Sequence, residues 1–225
     1  AAVTGGLITP ALALTAGIIR LRQNYRPARF FLLAWSCFCI GAIVTALKTI
    51  GVGPDDEVTI PALTYIATAN AVTYQHARLV LADVDPVTFN IDPKDVERRI
   101  TPNTKVIMPI DYGGNSSDYD ALQSIADQHE ITLLVDGAES LGGTYNGRKL
   151  CSFGKVSTLS LHAAKVITSI EGGLVFTNDD EIARMARIIR NQGEDPQHKY
   201  HHVVLGNNYR MTDLHAAVGL VQLSL

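Results

Sequence analysis

From Pro54 onward the chain alternates two kinds of apolar pattern. Short continuous runs, Glu57–Pro61, Arg78–Asp83, Lys105–Ile110, Ile131–Val135 and Leu174–Phe176, have the length and side chains of buried strands. Between them, Tyr65–Tyr74, Asp92–Ile100 and Tyr119–His129 read as helices. The second opens with Asp92-Pro93, an N-cap followed by a first-turn proline. Apolar strands alternating with helices predict an α/β fold, a mostly parallel sheet covered by helices on both faces. Ligands on such sheets gather at the carboxyl ends of strands, and Asp136 follows one of them directly.

The first fifty residues follow a different pattern. No Asp or Glu precedes Asp55; Ala1 to Ile19 and Phe30 to Leu47 are uncharged, with Arg20, Arg22, Arg26 and Arg29 between them. Two such stretches around an arginine-rich loop read as an apolar helical hairpin with that loop on the cytoplasmic side. A pair of buried core helices is the equal alternative, since Gly5, Gly6, Pro10, Gly17 and Gly41 dilute the runs. The hairpin orientation would leave everything after Lys48 outside the cytosol, the wrong place for an enzyme of cytosolic metabolites. Residues 1–50 are therefore expected to be a membrane-like or foreign segment ahead of a second unit over residues 51–225.

Composition narrows the class only a little. The chain has 225 residues, is 47% hydrophobic and carries a net charge of −3, too small to argue for a nucleic-acid partner. Three cysteines without framework spacing point to a reducing compartment, and Cys37-x-Cys39 lacks a matching second pair, so no metal site is expected.

The chemistry gathers around Lys165. Upstream, the run Ile131–Val135 ends in Asp136-Gly-Ala-Glu139-Ser140; beside the lysine lies Ser160-Leu-His162; downstream, Glu171-Gly-Gly173 leads into another apolar run. A lysine amine can form a Schiff base with an aldehyde cofactor, and a carboxylate at a strand end can keep a pyridine nitrogen protonated. Those are the two demands that pyridoxal phosphate (PLP) makes of a protein. The bland alternatives are a surface lysine and an aspartate capping a helix.

The phrases Gly51-Val-Gly-Pro-Asp-Asp-Glu-Val58, Pro61-Ala-Leu-Thr-Tyr-Ile-Ala-Thr-Ala-Asn-Ala-Val72 and Asp83-Val-Asp-Pro-Val-Thr-Phe-Asn-Ile-Asp92 come first in a longer series. Asp136-Gly-Ala-Glu-Ser, Ser152-Phe-Gly, Ser160-x4-Lys165, Glu171-Gly-Gly and Asn208-Tyr-Arg-Met-Thr-Asp-Leu follow in order. Together they resemble the DegT/DnrJ/EryC1/StrS family of PLP-dependent aminotransferases acting on nucleotide-linked keto sugars.

The resemblance implies the large domain of the type I aminotransferase fold, an amino-acid donor such as glutamate, a homodimer and a cytoplasmic location. Membrane association through residues 1–50, or a non-catalytic protein retaining the fold, is the alternative. By the resemblance, Lys165 holds the cofactor and shuttles a proton, Asp136 pairs with the ring nitrogen, and Glu139 lies near the ring hydroxyl. Tyr65 stacks on the ring, Ser160 holds the phosphate, and Asn208 reaches the phosphate of a neighbouring subunit. Lysine rather than histidine at position 165 favours amino transfer over the dehydratase branch.

Three departures accompany it. The hydroxyl-bearing phrase expected before the first helix is replaced by Phe38-Cys39-Ile40-Gly41. Ile170 stands before Glu171 where a small residue is usual, and could crowd the pocket. The chain stops at Leu225, so the small C-terminal domain is expected to be absent, with weak cofactor binding and little turnover.

Overall fold

The structure, a computed structural model, describes residues 41–224. Its centre is a six-stranded sheet built from β1 (Glu57–Pro61), β2 (Arg78–Ala82), β3 (Thr104–Ile107), β4 (Thr132–Asp136), β7 (Val156–Ser160) and β8 (Gly173–Phe176). The strand order is β2-β1-β3-β4-β7-β8, parallel throughout except for the last, antiparallel pair. A small hairpin, β5 (Thr144–Tyr145) and β6 (Arg148–Lys149), stands apart. The helices are α1 (described over 41–49), α2 (Ile66–Thr73), α3 (Pro93–Arg99), α4 (Tyr119–Gln128), α5 (Asp180–Arg190) and α6 (Asp213–Leu223).

Strand pleating explains why the central runs are apolar without alternation. Side chains of successive residues leave opposite faces, so a strand covered on both sides needs apolar residues at every position. Val106, Met108 and Leu134 enter one core with Ile43, Leu47, Ala71 and Val72. Ile107, Leu133 and Val135 enter the other with Val96, Tyr119, Leu122 and Ile125. The predicted cap forms: the Asp92 carboxylate accepts from the Lys94 amide at 3.0 Å. Asp179, which the sequence reading did not single out, caps α5 in the same way by accepting from the Glu181 and Ile182 amides.

The last residues of the expected 1–50 segment, the only ones of it that the structure describes, pack against the unit that follows. Ile43, Val44, Ala46 and Leu47 are buried in the same core as β1, β3 and α2, and Lys48 Nζ donates to Asn207 Oδ1 at 3.0 Å. Helix α1 is thus integral to the α/β unit, because the apolar side chains that resembled a membrane run also suit a buried helix. The rest of the expected hairpin, with Phe38, Cys39 and Ile40, lies outside the described residues. Among those described, no helix is long and apolar enough to cross a membrane. Leu47→Ala is expected to destabilise the fold by about 2–5 kcal/mol, the usual cost of truncating a fully buried leucine. Urea denaturation checks this; a loss below about 0.5 kcal/mol, typical of surface changes, would detach α1 from the core.

Candidate active site

The site arises from parallel neighbours ending at the same level. In β4 and β7, Asp136 lies opposite Thr158, so the carboxyl ends of both strands open on one edge of the sheet. Asp136 is the last residue of β4 and Ser160 the last of β7. The segment that carries Lys165 leaves from that edge and returns as β8. Gly137 permits the close approach: a Cβ there would lie 2.6 Å from the Thr158 carbonyl oxygen.

Asp136 is buried, 3% exposed. Thr68 Oγ1 donates to its Oδ2 at 2.8 Å, and the Ala138 amide donates to its Oδ1 at 3.2 Å. Both donors are neutral. Burial raises the carboxyl above the ordinary aspartate range, outweighing those two bonds and the nearby charge of Lys165. A carboxylate in this setting is short of a cation at bonding distance. Thr68 escaped the sequence reading, although a signal was available. It is the hydroxyl on the buried stripe Ala67, Thr68, Ala71, Val72 of an otherwise apolar helix face.

Glu139 connects the rest. Its Oε2 accepts from the Gly113 amide at 2.8 Å, and its Oε1 receives Lys165 Nζ at 3.4 Å. Behind it, buried Asp111 accepts from the Ser117 amide, from Tyr119 Oη at 2.6 Å and from Ser140 Oγ at 2.5 Å. Burial raises this carboxyl too, against those three donors. Asp111 thereby ties the Asp136–Ser140 loop to β3 and α4, a support that no local pattern announced. Lys165 is half-buried, its side chain 27% exposed. Burial, and then the charge of Lys165, hold the His162 imidazole below its ordinary range, so it is neutral at pH 7.

Ser160 Oγ accepts from the His162 amide at 3.3 Å, which turns the chain out of β7. Tyr65 is the N-cap residue of α2, one turn before Thr68, and is 71% exposed. Asn208 is the expected residue that does not join the group. It lines an open hollow of about 850 Å³, together with Phe153, Gly173, Phe176 and Met211, that neither Lys165 nor Asp136 lines.

Ile170 has φ +72°, the left-handed region that β-branched residues avoid. A glycine would adopt this backbone conformation without that cost. Ile170→Gly is expected to stabilise the fold by about 1 kcal/mol by relieving that conformation. Thermal unfolding reads this out, and an unchanged or lower midpoint would count against strain here.

Fold and site together define a doubly covered α/β domain with a lysine, a glutamate and a buried aspartate at one sheet edge. The sequence profile of the DegT/DnrJ/EryC1/StrS aminotransferase family matches residues 35–225, and the chain belongs to that family. It is 47% identical over 182 residues to GDP-perosamine synthase of Caulobacter vibrioides, covering 81% of this chain and 49% of that protein. It is 41% identical to UDP-2-acetamido-2-deoxy-3-oxo-D-glucuronate aminotransferase of Pseudomonas aeruginosa, covering 82% and 51%.

Among solved structures, 3-amino-5-hydroxybenzoic acid synthase superposes with a TM-score of 0.79 at 31% identity, covering 94% of this chain and 61% of that one. NtdA of Bacillus subtilis with bound cofactor PMP superposes at 0.77 and 31% identity, covering 81% and 42%. The chain spans about half the length of the curated relatives it matches.

Proposed function

We propose that the chain is the large domain of a PLP-dependent aminotransferase that moves an amino group from an amino acid such as glutamate to a nucleotide-linked keto sugar. One observation carries the reading: Asp136 is a buried carboxylate bonded, among the described residues, by neutral donors alone, with Lys165 near enough to act on it electrostatically. A protonated pyridine nitrogen is the cation such a carboxylate lacks, so the residues present fit the cofactor. The two nucleotide-sugar relatives support the substrate class. The PMP-bound NtdA supports the cofactor.

When bound, PLP supplies a reactive aldehyde and an electron-poor ring that takes up the electrons of a cleaved C–H bond. The residues of this chain have separate tasks. Asp136 keeps the ring nitrogen charged, and Thr68 fixes the orientation of that carboxylate. Lys165 Nζ holds the cofactor and then moves a proton between the reacting carbons. Glu139 Oε1 holds the lysine amine when it is free, while the Gly113 amide fixes the other oxygen.

Tyr65 offers an exposed aromatic face for stacking on the ring. Ser160 supplies a hydroxyl to the phosphate. Asn208, away from this group, serves the neighbouring subunit of a homodimer. A reaction that draws on cytosolic metabolites supports a cytoplasmic location.

The test uses the 225-residue chain loaded with PLP and given L-glutamate, then a GDP- or UDP-linked keto sugar, with mass spectrometry of both products. Formation of 2-oxoglutarate followed by an aminated sugar supports the proposal. A folded chain that retains PLP but forms no 2-oxo acid from glutamate or from any other amino-acid donor would overturn amino transfer.

A further inference from the structure

The segment after α5 holds a second cluster of ligating side chains, unconnected to the lysine site. Asp195, His198 and His201 each present one ligand atom, and the three atoms lie within 4.8 Å of one another. His198 Nδ1 is 2.9 Å from Asp195 Oδ2, and His201 Nδ1 is 3.9 Å from the same oxygen. Tetrahedral zinc with bonds of roughly 2.0–2.1 Å places its ligand atoms about 3.4 Å apart, between those two distances. We propose that this loop is a binding site for a divalent transition-metal ion, with Asp195, His198 and His201 as its protein ligands.

Backbone geometry supports this, because the loop is closed before any ion arrives. The Asp195 amide donates to the His201 carbonyl at 2.8 Å, the His198 amide to the Asp195 carbonyl at 3.2 Å, and the His201 amide to the His198 carbonyl at 3.0 Å. The Gln197 amide engages Asp195 Oδ1, which leaves Oδ2 facing both imidazoles. Pre-closure matters because a ligand set that must first order its own loop loses affinity to that ordering.

Two imidazoles and one carboxylate select zinc, nickel or copper rather than magnesium or calcium, which require oxygen ligands. Three protein ligands leave a fourth position for water or another group. His202, next in sequence, turns away, its Nδ1 lying 3.1 Å from the Gln192 carbonyl.

The site has a structural consequence. The Gln192 amide donates to the Asn207 carbonyl, and Asn191 bridges Asn208. An ion on Asp195, His198 and His201 therefore braces the excursion whose two ends meet beside Asn208. The sequence reading expected no metal ligands because it looked for paired Cys or His, whereas Asp-x2-His-x2-His becomes a cluster only once the chain turns on itself.

Isothermal titration of the untagged, chelator-treated chain with Zn²⁺ at neutral pH tests the proposal. One saturable site is expected. His198→Ala and His201→Ala should each weaken it by about tenfold or more, a loss of about 1.4 kcal/mol for each factor of ten. His202→Ala should bind like the parent and serves as the control, and circular dichroism confirms that the variants fold. No saturable heat in the parent would overturn the proposal. So would undiminished binding in the double variant, which would place the ion on other groups such as Cys37 and Cys39.

Discussion

Lys165→Ala is expected to lower amino transfer by at least about 10⁴-fold, because in the proposed function it removes the covalent anchor and the proton carrier together. The residue is half-buried and held at 3.4 Å from Glu139 Oε1. No neighbour replaces it: His162 lacks a primary amine, and Lys155, paired with Asp179, lies before β7 rather than beyond its carboxyl end. The cleanest reading comes from cofactor retention. After borohydride treatment and digestion, the parent should carry a phosphopyridoxyl group on the Lys165 peptide, and the alanine variant none. Lys165→Arg keeps the charge but not the nucleophile, and should fail equally. Covalent retention of the cofactor by either variant would sink the assignment.

The second large effect is expected at Asp136, where stability and chemistry oppose each other. Asp136→Asn keeps an oxygen for Thr68 but removes the charge proposed to pair with the ring nitrogen. Amino transfer should fall by about 10²–10³-fold, the usual loss when one preorganised electrostatic partner is removed. The ligand-free chain should behave in the opposite way. Burial raises the folded-state carboxyl above its unfolded value, so the unfolded chain releases its proton at lower pH than the folded one.

Stability of the parent therefore falls as pH rises from the ordinary aspartate range through the raised folded value. Asparagine has no such dependence. The variant's advantage should be absent at the acid end of that window, grow across it and stay level above it, as measured by urea midpoints. Added PLP should reverse the order by stabilising the parent more strongly. A variant less stable than the parent at every pH, without cofactor, would show that the Asp136 carboxylate is comfortable as it stands.

Both predictions rest on residues legible in the sequence, whereas their surroundings were not. The Asp136-Gly-Ala-Glu-Ser phrase and Ser160-x4-Lys165 mark chemistry because each sits just beyond an apolar run that closes a strand. Thr68 lies 68 positions from the carboxylate to which it donates. Asp111 reads in sequence as an ordinary loop aspartate, yet it is fully buried and accepts from three donors. Helix α1 was left open between bilayer and core because an uncharged apolar stretch looks alike whether lipid or protein surrounds it. Only its neighbours in the core, β1, β3 and α2, decide between the two.

The sequence by itself determined the alternation of strands and helices as far as Asp136, the cap at Asp92, and the approximate place of the chemistry at strand ends. Those features depend on residues within a turn or two of each other, and pattern is sufficient for them. Tertiary structure alone decided which strands became neighbours, which hydroxyl meets Asp136, and that Asp195, His198 and His201 converge. Such contacts are selected when the whole sheet closes and distant polar groups must find partners away from water, a condition that no local stretch of chain contains.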